Sequence, residues 1–343
     1  MYANFINMNI SSNFDWEVYI NRYSDLIIMG INTPSLAFEH WNRHGKYEGR
    51  IPSFNEFDWK YYVNRYDDLK HNINTRSMAL RHWFTYGQYE GRLYNATMEA
   101  NPPTIIKKKF NNILLIGDSH SNLITLKNNF KHLLCSAGSA KGLNNPNSRS
   151  GYNNLIINTV KSGNYDLLIF FFGGVDVDFS FIHKYLDNPT IDYRIFNQEV
   201  VDNYIEFINK NFVGIKSIVL SVGLPTLSDS FLKNGLLNAD INRLEGKNAS
   251  ELESKLSNVT HLPNIETRTK ITLDFNARLQ TKIKQLNQLN NNNILFLDVT
   301  YFQYDDVHKR IKNDFFSRID HHCYKRNITI SNIINNFIDN LSC

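Results

Sequence analysis

The sequence predicts an α/β protein in two parts: a three-layer α/β/α domain built on a parallel sheet, preceded by a small all-α repeat domain. Two observations carry that prediction. A unit with a period of about 43 residues occurs twice near the start, as FDWEVYINRYSDLIIMGINTPSLAFEHWNRHGKYEGR at 14–50 and FDWKYYVNRYDDLKHNINTRSMALRHWFTYGQYEGR at 57–92. From residue 111 onward, five apolar runs alternate with stretches of helical spacing, the pattern of repeated βα units.

Within each repeat the spacing gives a helical hairpin. Trp16, Tyr19 and Tyr23 fall at i, i+3 and i+7, on one helix face, with Asp15 placed as the N-cap. Thr33, and Thr75 in the second copy, can cap a second helix carrying Ala37, His40 and Trp41, which Gly45 or Gly87 ends. Aromatic stripes at helical spacing usually form core, and the same reading covers His40 and His82. Two such units bury little surface alone and are expected to pack on each other or on the downstream domain. They resemble a short Trp/Tyr-rich repeat found beside glycosyltransferase and other glycan-related domains. That resemblance implies a setting, with protein or glycan contact through the repeats, and no activity.

Residues 1–94 are therefore read as the repeat domain and 95–110 as a linker, where Pro102-Pro103 blocks helix and Lys107-Lys108-Lys109 is a solvated basic run. Residues 111–343 form the second domain. Its predicted strands are Asn112 to Ile116, Leu133 to Ser136, Asp166 to Phe172, Ser217 to Val222 and Ile294 to Val299, continuous apolar runs that suit strands covered on both faces. Its predicted helices are Asn122 to Phe130, Tyr152 to Lys161, Asn197 to Asn211, Thr267 to Leu289 and Ile328 to Leu341. The long polar segment 223–266 reads as a lid or specificity insertion, or as a plain surface excursion. In parallel sheets ligands bind beyond the carboxyl ends of the strands, so the informative loops begin at Gly117, Ala137, Gly173, Gly223 and Thr300.

Composition removes several function classes. The net charge of +4 is dispersed, which argues against a nucleic-acid footprint. No run reaches 18 apolar residues and the N-terminus lacks a signal-peptide pattern, so no membrane partner and a cytoplasmic location are expected, viral or host. Three widely spaced cysteines make a disulfide framework unlikely and suit a reducing compartment.

The chemistry concentrates at Ile113 to Leu123, ILLIGDSHSNL. Read as Gly-Asp-Ser at a strand end, it puts a nucleophilic serine, Ser119, at a helix N-terminus whose amides can stabilise negative charge. Read as Asp-x-His, it offers Asp118 and His120 as metal ligands, the opening of a metal-dependent phosphoesterase. The serine reading needs a base, and Asp320-His321-His322 before the last helix offers one. The metal reading needs further ligand motifs, and none occurs; Asp176, Asp178 and His183 match no ligand set.

Gly-Asp-Ser after the first strand and Asp/His before the last helix resemble the SGNH or GDSL hydrolase superfamily. With Ser139-Ala140-Lys141-Gly142-Leu143 and Phe172-Gly173-Gly174-Val175-Asp176, they resemble a branch with GDSH, SAxGL and FGxVD motifs. The resemblance covers about residues 111–343. It implies Ser119 as nucleophile, His322 as base with His321 as the alternative, Asp320 as orienter, and no cofactor or metal. It also implies an oxyanion site from the Ser119 amide and that of Gly142 or Gly138. Two departures stand out. Val175 occupies the place of the superfamily's third-block Asn, an oxyanion donor, for which Asn144 or the Gly174 amide would have to substitute, with Asp176 beside them. Asp320 also precedes His322 by only two residues. The activity implied is serine esterase or acyltransferase chemistry on a small-molecule or glycan acyl ester, O-acetyl among them. The alternatives are an SGNH-fold glycan-binding module without turnover and the metal-dependent phosphoesterase.

Overall fold

A computed structural model of the chain describes residues 14–23, 26, 30–46, 50–88, 91–100, 110–122, 124–239, 248–290, 294–300, 302–305, 308–317 and 324–341. The chain divides into two compact units, residues 1–108 with 340–343, and residues 109–339. Among the described residues no helix is long and apolar enough to cross a membrane.

Among the described residues of the first unit each repeat contains a capped helix, a capped second helix and a closing π-helical turn, and the second repeat also has a short helix, Asp67–Lys70, between the two. Asp15 caps Trp16–Arg22 by accepting the Val18 amide, and Asp58 caps Trp59–Arg65 by accepting those of Lys60 and Tyr61. Thr33 caps Pro34–His40 and Thr75 caps Arg76–His82. The turns Trp41–Gly45 and Trp83–Gly87 follow directly. A methyl group at Gly45 or Gly87 would overlap the hydroxyl of Tyr19 or Tyr62, so glycine is the residue that lets the turn close over the tyrosine. Those hydroxyls meet His40 Nδ1 at 2.9 Å and His82 Nδ1 at 2.7 Å. The repeat histidines are thus hydrogen-bonded, half-buried groups, and burial, with Arg92 nearby, pushes His82 down to about 3.

The two repeats pack on each other. Arg76 of the second bonds Asp15 and Glu17 of the first, Asn21 Nδ2 donates to Ser77 Oγ at 2.7 Å, and the Arg22 guanidinium lies 4.8 Å above the Phe84 ring. A short helix, Thr97–Ala100, extends the ordered chain beyond residue 94, its Glu99 accepting the Tyr61 hydroxyl at 2.8 Å and pairing with Arg65.

The second unit is the expected α/β/α domain. Five parallel strands, β1 (Ile113–Gly117), β2 (Phe130–Leu134), β3 (Leu167–Phe171), β4 (Lys216–Leu220) and β5 (Ile294–Leu297), lie in the order β2-β1-β3-β4-β5. On one face Leu114, Ile116, Leu168, Phe170 and Val219 share a core with the helices Tyr152–Ser162, Tyr193–Asn211 and Ile265–Asn290. The alternate residues Ile113, Leu115, Ile169, Ile218 and Leu220 are equally buried, and the helix Tyr324–Asn340 carries a buried stripe of Ile330, Ile334, Phe337 and Ile338.

Two expectations needed correction. Among the described residues of 122–130 no helix forms: a single 3-10 turn, Ser119–Ser121, is followed by irregular chain. The Thr125 amide donates to Ser331 Oγ and that of Lys127 to Asn335 Oδ1, so side chains from the last helix replace an internal helical ladder. β2 begins three residues earlier than expected, because as an edge strand it is only half covered. Among its described residues the insertion holds the helices Leu232–Leu237 and Ala249–Asn258, and a small hairpin, β6 (Tyr304–Asp305) with β7 (Arg310–Ile311), follows β5.

Candidate active site

The chain runs from β1 to the edge strand β2 and then returns across β1 to β3. The carboxyl ends of β1 and β3 therefore flank a topological switch point, where open parallel sheets bind ligands. Gly117, Asp118 and Ser119 leave the sheet there. The Asp118 amide donates to Phe171 O at 3.2 Å, and Gly117 O accepts the Cys135 amide at 2.8 Å, so the turn is tied to both neighbouring strands.

A methyl group on Gly117 would lie 2.7 Å from Ser121 Cβ and Oγ and 2.8 Å from Phe171 O, so only glycine permits this turn against the neighbouring backbone. Asp118 caps the 3-10 turn: its Oδ1 accepts the His120 amide at 2.9 Å and also lies 2.9 Å from His120 Nδ1. A carboxylate only accepts, so Nδ1 carries the proton. Both side chains are buried, and the His120 ring packs against Gly174, where a methyl group would meet it at 2.9 Å.

Ser119 is half-buried at the first position of the turn, and among the described residues neither its amide nor its hydroxyl has a hydrogen-bond partner. Ser121 is no rival nucleophile. Its hydroxyl is fully buried, donates to Asp118 O at 2.6 Å and takes a hydrogen bond from His132 Nε2 at 2.9 Å. Cys135 is equally unsuited, since burial and the nearby Asp118 push its thiol up to about 12.

The loops after β2 and β3 revise the expected oxyanion site. The Gly138 amide donates to Cys135 O at 2.8 Å and the Gly142 amide to Ser139 O at 3.2 Å. Both are spent inside turns, so neither is the open donor expected. Asn144 turns its amide toward Asn203 Oδ1 at 3.5 Å. Asp176, fully buried, faces the protein: its Oδ2 accepts the Ala140 amide at 2.6 Å and its Oδ1 that of Lys141 at 3.2 Å. Burial raises its carboxyl to about 6, against the pull of those two amides and the Lys141 charge. Gly174 opens a helical segment that continues into the π-helical turn Asp176–Ser180, and among the described residues its amide is unbonded, as expected in a first turn.

Asp320, His321 and His322 lie outside the described residues. The chain on either side of them is fixed to the loop leaving β4. The Ser317 amide donates to Thr226 O at 2.9 Å, and Ser317 O accepts the Ser228 amide at 3.3 Å. Arg326, 2 % exposed, packs on Gly223 and donates from Nη1 to Leu224 O at 3.0 Å. Arg326 was missed in the sequence, although it lies in register with Ile330, Ile334 and Ile338, an arginine on an apolar stripe. Arg268 was missed as well. It is 3 % exposed and ties the two ends of the insertion together, with Nη2 donating to Leu227 O and Asp229 and Nε to Pro263 O. Both guanidinium groups act on Asp178, whose carboxyl burial nonetheless raises to about 6.

Asp118 and His120 bond each other, and among the described residues no group of three His, Cys, Asp or Glu side chains is arranged to hold a metal ion.

No protein-family model and no curated protein matches the chain. Solved structures do. A Bacteroides fragilis protein described as an acylhydrolase is similar at 13% identity and a TM-score of 0.35, over 71% of this chain and 93% of that one. A salicylyl-acyltransferase from a tetracycline biosynthetic pathway is similar at 11% identity and a TM-score of 0.35, over 67% of this chain and 54% of that one. A GDSL-like lipase from Bacteroides ovatus is similar at 11% identity and a TM-score of 0.32, over 65% of this chain and 53% of that one.

Proposed function

We propose that the second unit is a serine esterase or acyltransferase acting through an acyl-Ser119 intermediate, with His322 as base and Asp320 as its orienter. The Ser119 hydroxyl attacks the acyl carbon and passes its proton to the imidazole. The oxyanion collapses, and the imidazole returns the proton to the departing alkoxide. Water or a sugar hydroxyl then takes the acyl group by the reverse sequence, giving hydrolysis or transfer. O-acetylated glycans are the substrate class suggested by the repeats. The repeats would serve as the protein or glycan contact.

The observation that supports this reading most is the anchoring around residues 318–323. Ser317 and Arg326 are both fixed to the loop leaving the carboxyl end of β4, in the same parallel sheet whose β1 ends at Gly117, two residues before Ser119. One observation favours the binding-module alternative. Val175 replaces the expected Asn, and the amides of Gly138 and Gly142 are occupied, which reduces the oxyanion donors available.

Purified protein is expected to release nitrophenol from p-nitrophenyl acetate and to take up a fluorophosphonate at Ser119, located by peptide mass spectrometry. Ser119→Ala should remove both, and chelator should affect neither. A protein unlabelled at Ser119 but retained on acetylated glycans would establish the binding module; chelator-sensitive phosphoesterase activity would establish the metal reading.

A further inference from the structure

The loops leaving β2, β1 and β3 are neighbours, because those strands are adjacent in that order. In the loop after β2 the amides of Ser136 and Ala137 have no acceptor among the described residues, and of the five from Gly138 to Gly142 four are committed. Gly138 donates to Cys135 O, Ala140 and Lys141 to Asp176, and Gly142 to Ser139 O. The exception is Ser139, half-buried with extended backbone (φ −100°, ψ 143°), whose amide has no acceptor among the described residues. In the neighbouring loop the corresponding exception is the amide of Ser119 itself. Enclosed backbone N–H groups are nearly always paired, so the open amides of the half-buried Ser119 and Ser139, on the loops of adjacent strands, mark where an acceptor oxygen is expected to come.

We propose that Asp176 is a positioning residue of this site: by taking the amides of Ala140 and Lys141 it fixes the turn so that the Ser139 N–H serves as oxyanion donor to the acyl group on Ser119. This inference rests on the serine reading above and names the donor that replaces both the occupied glycine amides and the missing Asn. Two parallel N–H groups need two acceptor oxygens, which an ionised carboxylate supplies. An Asn side chain would present one oxygen and turn its own N–H groups toward the second amide. At neutral pH a carboxyl titrating at about 6 is mostly ionised, which suits the role.

The test is a double-mutant cycle on the full chain, read as kcat and KM with p-nitrophenyl acetate and as the affinity of a phenylboronic acid, which becomes tetrahedral on the serine. Asp176→Asn should lower kcat by about a hundredfold with KM nearly unchanged, and weaken the boronic acid in proportion. Ser139→Pro, which deletes the N–H, should do the same, and the double variant should lose little more than either single one, because both act through one donor. Independent losses that multiply, or an Asp176→Asn protein with kcat intact, would overturn the proposal. If Asp176→Asn does not fold, Ser139→Pro alone decides, and an unchanged kcat refutes it. A wild-type chain that fails to label at Ser119 defeats the serine reading itself. A labelled wild type with an unaffected Asp176→Asn defeats only this inference.

Discussion

Replacing Gly117 by Ala is the sharpest test of how the nucleophile turn is built. The added methyl group would lie 2.8 Å from Phe171 O and 2.7 Å from Ser121 Cβ and Oγ, and neither neighbour can yield freely. Phe171 O accepts the Asp118 amide from a central strand, and the Ser121 hydroxyl is bonded to Asp118 O at 2.6 Å and to His132 at 2.9 Å. Relief by moving Ser121 breaks two buried hydrogen bonds, each contributing about 1 kcal/mol, and relief by moving the backbone strains the β1 and β3 pairing. With overpacking at about 1–3 kcal/mol, the substitution should cost about 3 kcal/mol. Urea unfolding can assign this cost to the correct unit, since all four tryptophans, Trp16, Trp41, Trp59 and Trp83, lie in the repeats. Gly117→Ala should lower the midpoint of the far-UV circular dichroism transition while leaving the tryptophan emission transition in place. Fluorophosphonate labelling of Ser119 should slow by at least tenfold. An alanine variant with unchanged midpoint and labelling rate would refute the close-approach argument.

Two other outcomes follow from the same structure. His82, held down to about 3 by burial, stays neutral in the folded repeats while an unfolded chain takes up a proton near 6.5, so repeat stability is full above 6.5 and declines as pH falls from there toward 3. The tryptophan-monitored midpoint should show that decline, and His82→Gln should flatten it; a wild-type midpoint constant between pH 7 and 4 would contradict the burial. Arg326→Lys keeps the charge but loses the planar fork packed on Gly223, so Ser119 labelling and esterase rate should fall about tenfold to a hundredfold through displacement of the adjoining loop. Unchanged rates would show that Arg326 serves stability alone.

The parts that were legible in the sequence are those where one physical constraint dominates a stretch of chain. β1 and β3 are covered on both faces and so read as unbroken apolar runs, ILLIG and LLIFF. The repeats announced themselves by self-similarity, and their caps followed from Asp15, Asp58, Thr33 and Thr75. What was not legible depends on partners far along the chain. Residues 122–130 look helical until Ser331 and Asn335 take their amides from some 200 residues away. The choice between Gly138, Ser139 and Gly142 as an open amide is invisible in GSAKGL, because Asp176 in another loop decides which N–H groups are consumed.

The single guanidinium of Arg268 reaches Leu227 O, Asp229 and Pro263 O, so the two ends of the segment between them are held side by side whatever lies between. The helices between those ends still bury Leu232, Leu236, Leu252 and Leu256 in the domain core. A change of length between the two helices would leave both the Arg268 tie and those four leucines in place, and the neighbouring clasp of Arg326 on Leu224 is a separate bond. Variation between the two helices is thereby separated, in evolution or in design, from the turn that carries Ser119.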